Sequence, residues 1–295
     1  MLPRQLRSLT LLFVASALVA LPATAQEKLA WKFAKGTSLQ YVVNQTMDME
    51  ISIAGQKTTQ SMKQTMDMGW NIENVSANGE AVMGQTIQRI QMDFSGSLIE
   101  SFKYDSAEKT PPATSMARRI ADSYSKILNQ QFQVAMKPSG EITDVKIPET
   151  LMEALTSSGN GVLTESMVKQ MMTQSAITLP TTPITRGQSW TNKQVVDLPY
   201  GKMAIDSKLT YTGPDTTGRL AVIRVEPQIN IQNSENSAQQ VALNSSKGQG
   251  NVYFDPAQGR IVRSELDLTM DLSVKLNEQQ FDQKVNQRLE MVLAE

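Results

Sequence analysis

The sequence predicts a mainly β protein of the α+β type: a large antiparallel meander sheet, curved or two-layered, with a helical insert of two to three helices packed on it. Three observations carry this expectation. Apolar and polar residues alternate with period two over 37–105 and again over 187–293. The period changes to helical spacing between them, over 114–175. Glycine, proline and asparagine punctuate both alternating regions at hairpin spacing.

The first strand shows the alternation most clearly. Tyr41, Val43, Gln45, Met47, Met49, Ile51 and Ile53 occupy one side, and Asn44, Thr46, Asp48, Glu50 and Ser52 the other. The next run puts Met62, Met66, Met68, Trp70 and Ile72 on even numbers. A two-residue type II′ turn at Gly55-Gln56 would join the two strands. It pairs Tyr41 with Trp70, Val43 with Met68, Gln45 with Met66 and Met49 with Met62, all on one shared face. On the other face it pairs Asp48 with Lys63 and Thr46 with Thr65.

Asn78-Gly79 opens the next turn, followed by a strand from Glu80 to Phe94 and a fourth from Leu98 to Tyr104. Met116, Ile120, Tyr124 and Ile127/Leu128 then recur at helical spacing behind a Thr114/Ser115 N-cap. Phe132–Met136 and Ile142–Ile147 read as a short hairpin around Lys137-Pro138-Ser139-Gly140. Pro148 opens a second helix through Leu155, and Leu163–Met172 reads as a third with a methionine-rich face. The stretch Leu179-Pro180-Thr181-Thr182-Pro183 is extended, and its prolines exclude a central strand. Six strands follow, near 189–196, 202–212, 219–231, 240–254, 260–276 and 280–293. Phe254-Asp255-Pro256-Ala257-Gln258-Gly259-Arg260 is a hairpin signal. Lys35-Gly36-Thr37-Ser38-Leu39 and Arg186-Gly187-Gln188-Ser189-Trp190 each precede a meander, which hints at an internal duplication.

The N-terminus reads as an address. Arg4 and Arg7 precede an apolar run from Leu9 to Leu21, then Ala23-Thr24-Ala25 forms a small-x-small site. This is a signal peptide over 1–25, cleaved near Ala25, and its apolar run is too short to span a bilayer. The expectation is an exported protein, periplasmic or extracellular and soluble, with a single β-rich domain over 26–295 and no transmembrane segment. The whole chain has 28 basic and 29 acidic residues among 295. Loss of the leader, with its two arginines and no acid, leaves a charge of −3. Such balance gives no electrostatic reason to expect nucleic acid as a partner.

The composition excludes much chemistry. With no histidine and no cysteine, there is no imidazole base, thiol nucleophile, disulfide, iron–sulfur cluster or structural zinc site. No cofactor is implied. Asp48, Asp67, Asp267 and Asp271 fall on polar strand rows, where a solvated face explains them.

The 17 methionines are the remaining signal. Gln45-Thr46-Met47-Asp48-Met49 repeats as Gln64-Thr65-Met66-Asp67-Met68, and again in altered form as Leu268-Thr269-Met270-Asp271-Leu272. Thioethers clustered this way suit a soft metal such as Cu(I), the lining of an apolar groove, or plain core. The third copy replaces the flanking methionines by leucine, which keeps the apolar row and loses the ligand. The repeat therefore reads as strand grammar, with Thr and Asp outward and Met inward. Met47, Met49, Met62, Met66, Met68, Trp70, Met116, Met167 and Met171 are the candidates to line a groove between sheet and helices.

Several motifs recur in a fixed order: Trp31 with Gly36; Lys137-Pro138-Ser139-Gly140-Glu141-Ile142; Leu179-Pro180 with Pro183-Ile184 and Gly187-Gln188-Ser189-Trp190; and Phe254-Asp255 with Gly259-Arg260. In this order the chain resembles an uncharacterised domain-of-unknown-function family of exported bacterial proteins of planctomycete type. The resemblance spans 31–293, implies one mostly antiparallel β domain with helices, and supplies no catalytic residues. A looser similarity of fold runs to periplasmic lipoprotein carriers, whose helices cover the concave apolar face of a curved sheet. The functional expectation is a non-catalytic exported protein that binds an apolar ligand or lipid in such a groove. The alternatives are an envelope scaffold or protein-interaction module with a solid core, a carboxylate-only enzyme, and a methionine-based copper binder.

Overall fold

The computed structural model describes residues 26–294 other than 98–99, 111, 159–168, 170–176, 199, 236 and 277–278. The expected third helix, with Met167 and Met171, falls outside the described residues. The elements run β1 (Ser38–Ile53), β2 (Gln56–Val75), β3 (Ala81–Gly96), β4 (Phe102–Asp105), α1 (Ser115–Ser125), β5 (Gln131–Met136), β6 (Ile142–Lys146), α2 (Glu149–Ser158), β7 (Ser189–Leu198), β8 (Gly201–Pro214), β9 (Ala221–Asn233), β10 (Gln239–Asp255), β11 (Arg260–Leu276) and β12 (Gln279–Leu293). The fourth strand runs from Phe102, and Leu98, where it was expected to begin, lies outside the described residues.

Both meanders belong to one 12-stranded sheet, in the order β6-β5-β3-β2-β1-β12-β11-β10-β9-β8-β7, with β4 also on β3. The seam is the pairing of the first strand with the last, from Tyr41↔Leu293 to Ile53↔Phe281. The ladders are antiparallel throughout. β3 serves two partners on one edge: residues 81–86 pair with β5 and 91–94 with β4. The chain leaving α1 fills the gap between them, where Asn129 donates its N–H to the Ile87 carbonyl at 2.8 Å.

The β1–β2 hairpin differs from expectation in register. Its turn is Ala54-Gly55, with φ of 50° and 83°, and Ile53 pairs with Gln56. Positive φ at both central residues is the type I′ geometry, whose twist matches the flanking strands. The pairing moves by two residues, so Tyr41 faces Met68, Val43 faces Met66, Met47 faces Met62 and Asp48 faces Ser61. A two-residue shift leaves each side chain on its expected face. Ala54 is a poor residue for this conformation, because its Cβ crowds the following carbonyl. Ala54→Asn creates the favoured Asn-Gly turn and should raise stability by about 0.5–1 kcal/mol, read as a shifted urea midpoint at constant slope.

The sheet curls because its two wings share one core. Ile72, Met83, Val134 and Met136 from one wing pack with Leu209, Ile223, Val252 and Phe254 from the other, around Leu29, Trp31, Leu179 and Ile184. The last four lie on two extended segments, near 26–35 and 177–188, that close this end of the sheet. Trp31 N–H donates to the Pro138 carbonyl (2.7 Å), Leu179 N–H to Ser139 (2.7 Å), and Lys32 N–H to Gly259 (2.9 Å). The Trp190 indole donates to the Thr178 carbonyl at 2.8 Å. Trp31 stacks on Phe33 and meets Phe254 edge-on, with centroids 5.8 and 5.9 Å away. The ordered motifs of the sequence thus converge on a clasp that ties the β5–β6 and β10–β11 turns to β7.

Two of those motifs have matching backbone geometry. Gly36 (φ 81°) and Gly187 (φ 88°) each occupy a turn that only glycine adopts without strain. Gly36 N–H donates to Ile72 O while Ile72 N–H returns to Thr37 O; Gly187 N–H donates to Tyr211 O while Tyr211 N–H returns to Gln188 O. Each meander therefore opens with the same latch onto its own second strand.

Candidate functional site

Opposite faces of the sheet differ sharply in charge. Outward rows carry ion pairs from strand to strand. Arg288 lies 3.1 Å from Asp267, and Arg263 binds Glu265 (2.7 Å) and Glu290 (3.1 Å). Lys57 meets Glu50 at 2.7 Å, and Lys103 meets Asp93 at 2.9 Å. The four carboxylates flagged in the sequence all belong to this face. Asp267 holds Arg288, Asp271 accepts from Ser245 Oγ at 2.6 Å, and Asp48 and Asp67 oppose Ser61 and Arg89. Two open grooves of about 560 and 320 Å³ are lined largely by such outward side chains, including Asp48, Glu50 and Asn286 in the first and Lys63, Asp93 and Lys103 in the second.

Near the second groove, Asp105 accepts from Arg89 Nε at 3.0 Å, from a second Arg89 nitrogen, from Gln91 Nε2 at 3.0 Å and from Ala107 N–H at 2.9 Å. The Arg89 guanidinium is the main reason its carboxyl lies far below the usual aspartate range, and it outweighs the opposing effect of burial. A folded-state pKa depressed in this way adds stability above the unfolded value, near 4. That stability is lost as pH falls further, through the folded value. Urea midpoints recorded downward from pH 5 should therefore fall more steeply for the wild-type chain than for Asp105→Asn.

Among the described residues, the inner rows of the strands carry no charged side chain. Its rows can be read from the register: Gln45, Met47, Met49, Ile51 and Ile53 on β1; Phe281, Gln283, Val285, Gln287 and Leu289 on β12; Leu266, Leu268, Met270, Leu272 and Val274 on β11. The inner rows of the other strands continue in kind, with Met203 and Ile205 on β8 opposite Ile231 and Ile229 on β9. Among the described residues, no Asp, Glu, Lys or Arg lies on the inner row of any strand.

Coverage of this face is uneven. At the clasp end it is core. On the β2–β3–β4 part, α1 lies across it, started by Thr114, whose Oγ1 accepts the Ala117 N–H at 3.1 Å. Met116, Ala117, Ile120, Ala121 and Tyr124 of this region pack with Met62, Met66, Ile90 and Phe94. Tyr124 stacks on Tyr104 at 6.1 Å and accepts from Gln64 Nε2 at 3.2 Å. Away from clasp and helix the face is mixed: Val241, Val274 and Val285 are buried on it, Met47, Met49, Leu268 and Met270 are half-buried, and at the strand tips Ile53 is 48% and Leu276 45% exposed.

The sequence-predicted residues divide accordingly. Met62, Met66 and Met116 meet in the helix–sheet cluster. Trp70 belongs with the clasp core, its ring 4.9 Å from Tyr41 and 6.0 Å from Trp31. Met68 sits between Tyr41 and Ile87. Met47 and Met49 are the two described candidates on the half-covered stretch, opposite Gln287 and Val285. The sequence reading missed the β11 and β12 rows as part of the same surface. Their alternation was visible, but their adjacency to β1 depends on the seam.

The fold and this face define a class: a large open antiparallel sheet, curled about a clasped core, with a neutral apolar inner surface. Within it, the chain belongs to the family of unknown function DUF6263, whose sequence profile matches residues 78–280. No curated protein matches the chain. Among solved structures it is similar in fold to lipovitellin, in a structure describing lipid–protein interactions in that protein. Identity is 12%, the TM-score is 0.50, and the match covers 90% of this chain but 26% of lipovitellin. The chain thus spans about a quarter of lipovitellin's length. A DUF1329 family protein from Desulfovibrio piger (9% identity, TM-score 0.17, 85% of this chain and 84% of that one) and OpdQ from Pseudomonas aeruginosa (7%, 0.21, 88% and 99%) also align, at scores too low to bear on the fold.

Proposed function

We propose that this chain is a non-catalytic exported protein that holds an apolar ligand, a lipid, against the half-covered inner face of its curled sheet. The observation that carries this reading is the row of half-buried Met47, Met49, Leu268, Met270 and Leu272, set around the buried Val274 and Val285 with no charge on the strands' inner rows among the described residues. A broad apolar surface left open to water in a monomer marks a binding surface. Methionine suits it, because an unbranched thioether adapts to an irregular partner. The fold shared with lipovitellin, itself described for its lipid interactions, supports the reading. So does the lack of histidine and cysteine, with the flagged carboxylates engaged or solvated on the opposite face.

The test is native mass spectrometry of residues 26–295 purified gently from an exporting cell. Extra mass in the lipid range, lost on organic extraction, is the expected result. A bare mass, together with no uptake of a fluorescent apolar probe, would overturn the reading. A protein-interaction module is the second reading, favoured by the exposed apolar tips at Ile53 and Leu276; it predicts a bare chain that co-purifies with one envelope protein.

A further inference from the structure

We infer that the ligand is an uncharged ester lipid, an acylglycerol, rather than a fatty-acid anion or a phospholipid. This rests on the apolar-ligand reading and narrows it. Two observations carry it. The first is that, among the described residues, no strand places a cation on its inner row. An ionised carboxylate or phosphate drawn onto this face would leave water without a counter-charge, which is strongly unfavourable.

The second is a set of glutamines set among the apolar residues. Gln287 lies between Met47 and Leu268, and Gln283 between Ile51 and Leu272. Gln60 lies opposite Met49, and Gln45 beside Leu289. All four are half-buried, whereas their outward neighbours Lys284, Asn286 and Arg288 are exposed. Gln64, opposite Gln45, is engaged by Tyr124. Among the described residues, the side-chain amides of Gln45, Gln60, Gln283 and Gln287 form no hydrogen bond.

A molecule that covers the methionines also covers these amides. An amide desolvated beneath pure hydrocarbon loses its water and gains nothing. A ligand with carbonyl oxygens spaced along an apolar body replaces that water at each NH₂. Gln283 and Gln287 are about 13 Å apart along their strand at ~3.3 Å per residue. Gln45 lies one strand away and Gln60 two, at about 4.8 Å per strand. The amides are thus dispersed over a surface on the scale of a multi-chain ester, not gathered at one headgroup.

The experiment uses the mature chain, the hydrocarbon probe diphenylhexatriene, and three competitors at pH 8: dioleoylglycerol, oleate and dioleoylphosphatidylglycerol. Dioleoylglycerol should displace the probe at a concentration at least about 10-fold below either anion. The double variant Gln283→Leu/Gln287→Leu should bind dioleoylglycerol roughly 10-fold more weakly while taking up the probe at least as well, since two hydrogen bonds are lost and apolar surface is added. Equal displacement by oleate or the phospholipid, or an unchanged dioleoylglycerol affinity in the variant, would overturn the ester assignment and leave an apolar site standing. Failure of the chain to take up the probe at all would remove the apolar-ligand reading and this inference with it.

Discussion

Gly259→Ala is expected to destabilise the protein by about 3–4 kcal/mol, near the top of the range for single substitutions. Two costs combine at this position. Gly259 has φ of 62°, where an alanine Cβ crowds its own backbone by roughly 1–2 kcal/mol. That Cβ would also stand 2.4 Å from the Lys32 backbone nitrogen. Relief requires the 26–35 segment to withdraw, which breaks the hydrogen bond from Lys32 N–H to the Gly259 carbonyl. Withdrawal also loosens the Lys32 ammonium from the Pro256 and Ala257 carbonyls, at 2.8 and 3.1 Å. Gly218→Ala separates the two costs, because Gly218 has φ of +75° with nothing within 4 Å of a new Cβ. It should lose only about 1 kcal/mol. Urea denaturation of both variants gives the difference. Equal losses would mean that the clasp yields freely and does not hold the sheet in its curl.

Leu268→Glu should abolish apolar-ligand binding, with a drop of about 100-fold or more, while the chain stays folded. Leu268 is half-buried on β11, opposite Gln287 and Gly248. Without ligand, a glutamate there reaches water, so the expected stability loss is about 1–2 kcal/mol. With ligand, its carboxylate must be stripped of water among inner strand rows that, among the described residues, hold no cation, and binding carries that cost. Thr269→Glu is the control: it adds the same charge one residue away, on the outer face, where Thr269 Oγ1 meets Asn286 at 3.0 Å. Probe titration of the two variants should differ by the full effect. If both bind alike, the ligand does not lie on the inner face.

What the sequence revealed follows from the range of the forces involved. Strand positions were legible because alternation is local: β11 was expected at 260–276 and lies at Arg260–Leu276. The α1 start was legible because Thr114 is an N-cap residue directly before the helical period, its hydroxyl reaching the N–H three residues on. The β1–β2 register was missed by two residues because the face pattern is satisfied by either pairing, and only the turn decides. Alanine is not expected at positive φ, yet Ala54 adopts it. The clasp motifs were visible as an ordered set of turns. Their meeting was not, because Trp31 and Pro138 are joined by a backbone hydrogen bond that leaves no trace in side-chain pattern. The same holds for the candidate face. Met47 and Met49 could be assigned inward, but which methionines α1 covers depends on packing between distant elements. Trp70, counted among the lining residues, instead meets Trp31 in the core through a contact the sequence does not encode locally.

The seam between β1 and β12 also sets a clock. During synthesis, β1 can fold back on β2 as soon as residue 75 emerges, yet its other edge waits for residues 281–293. For more than two hundred residues of elongation, an unpaired strand with an apolar row stays open to mispairing. Contacts so far apart along the chain also form slowly. The two halves of the sheet are therefore expected to form separately and join last, once residues 281–293 have emerged.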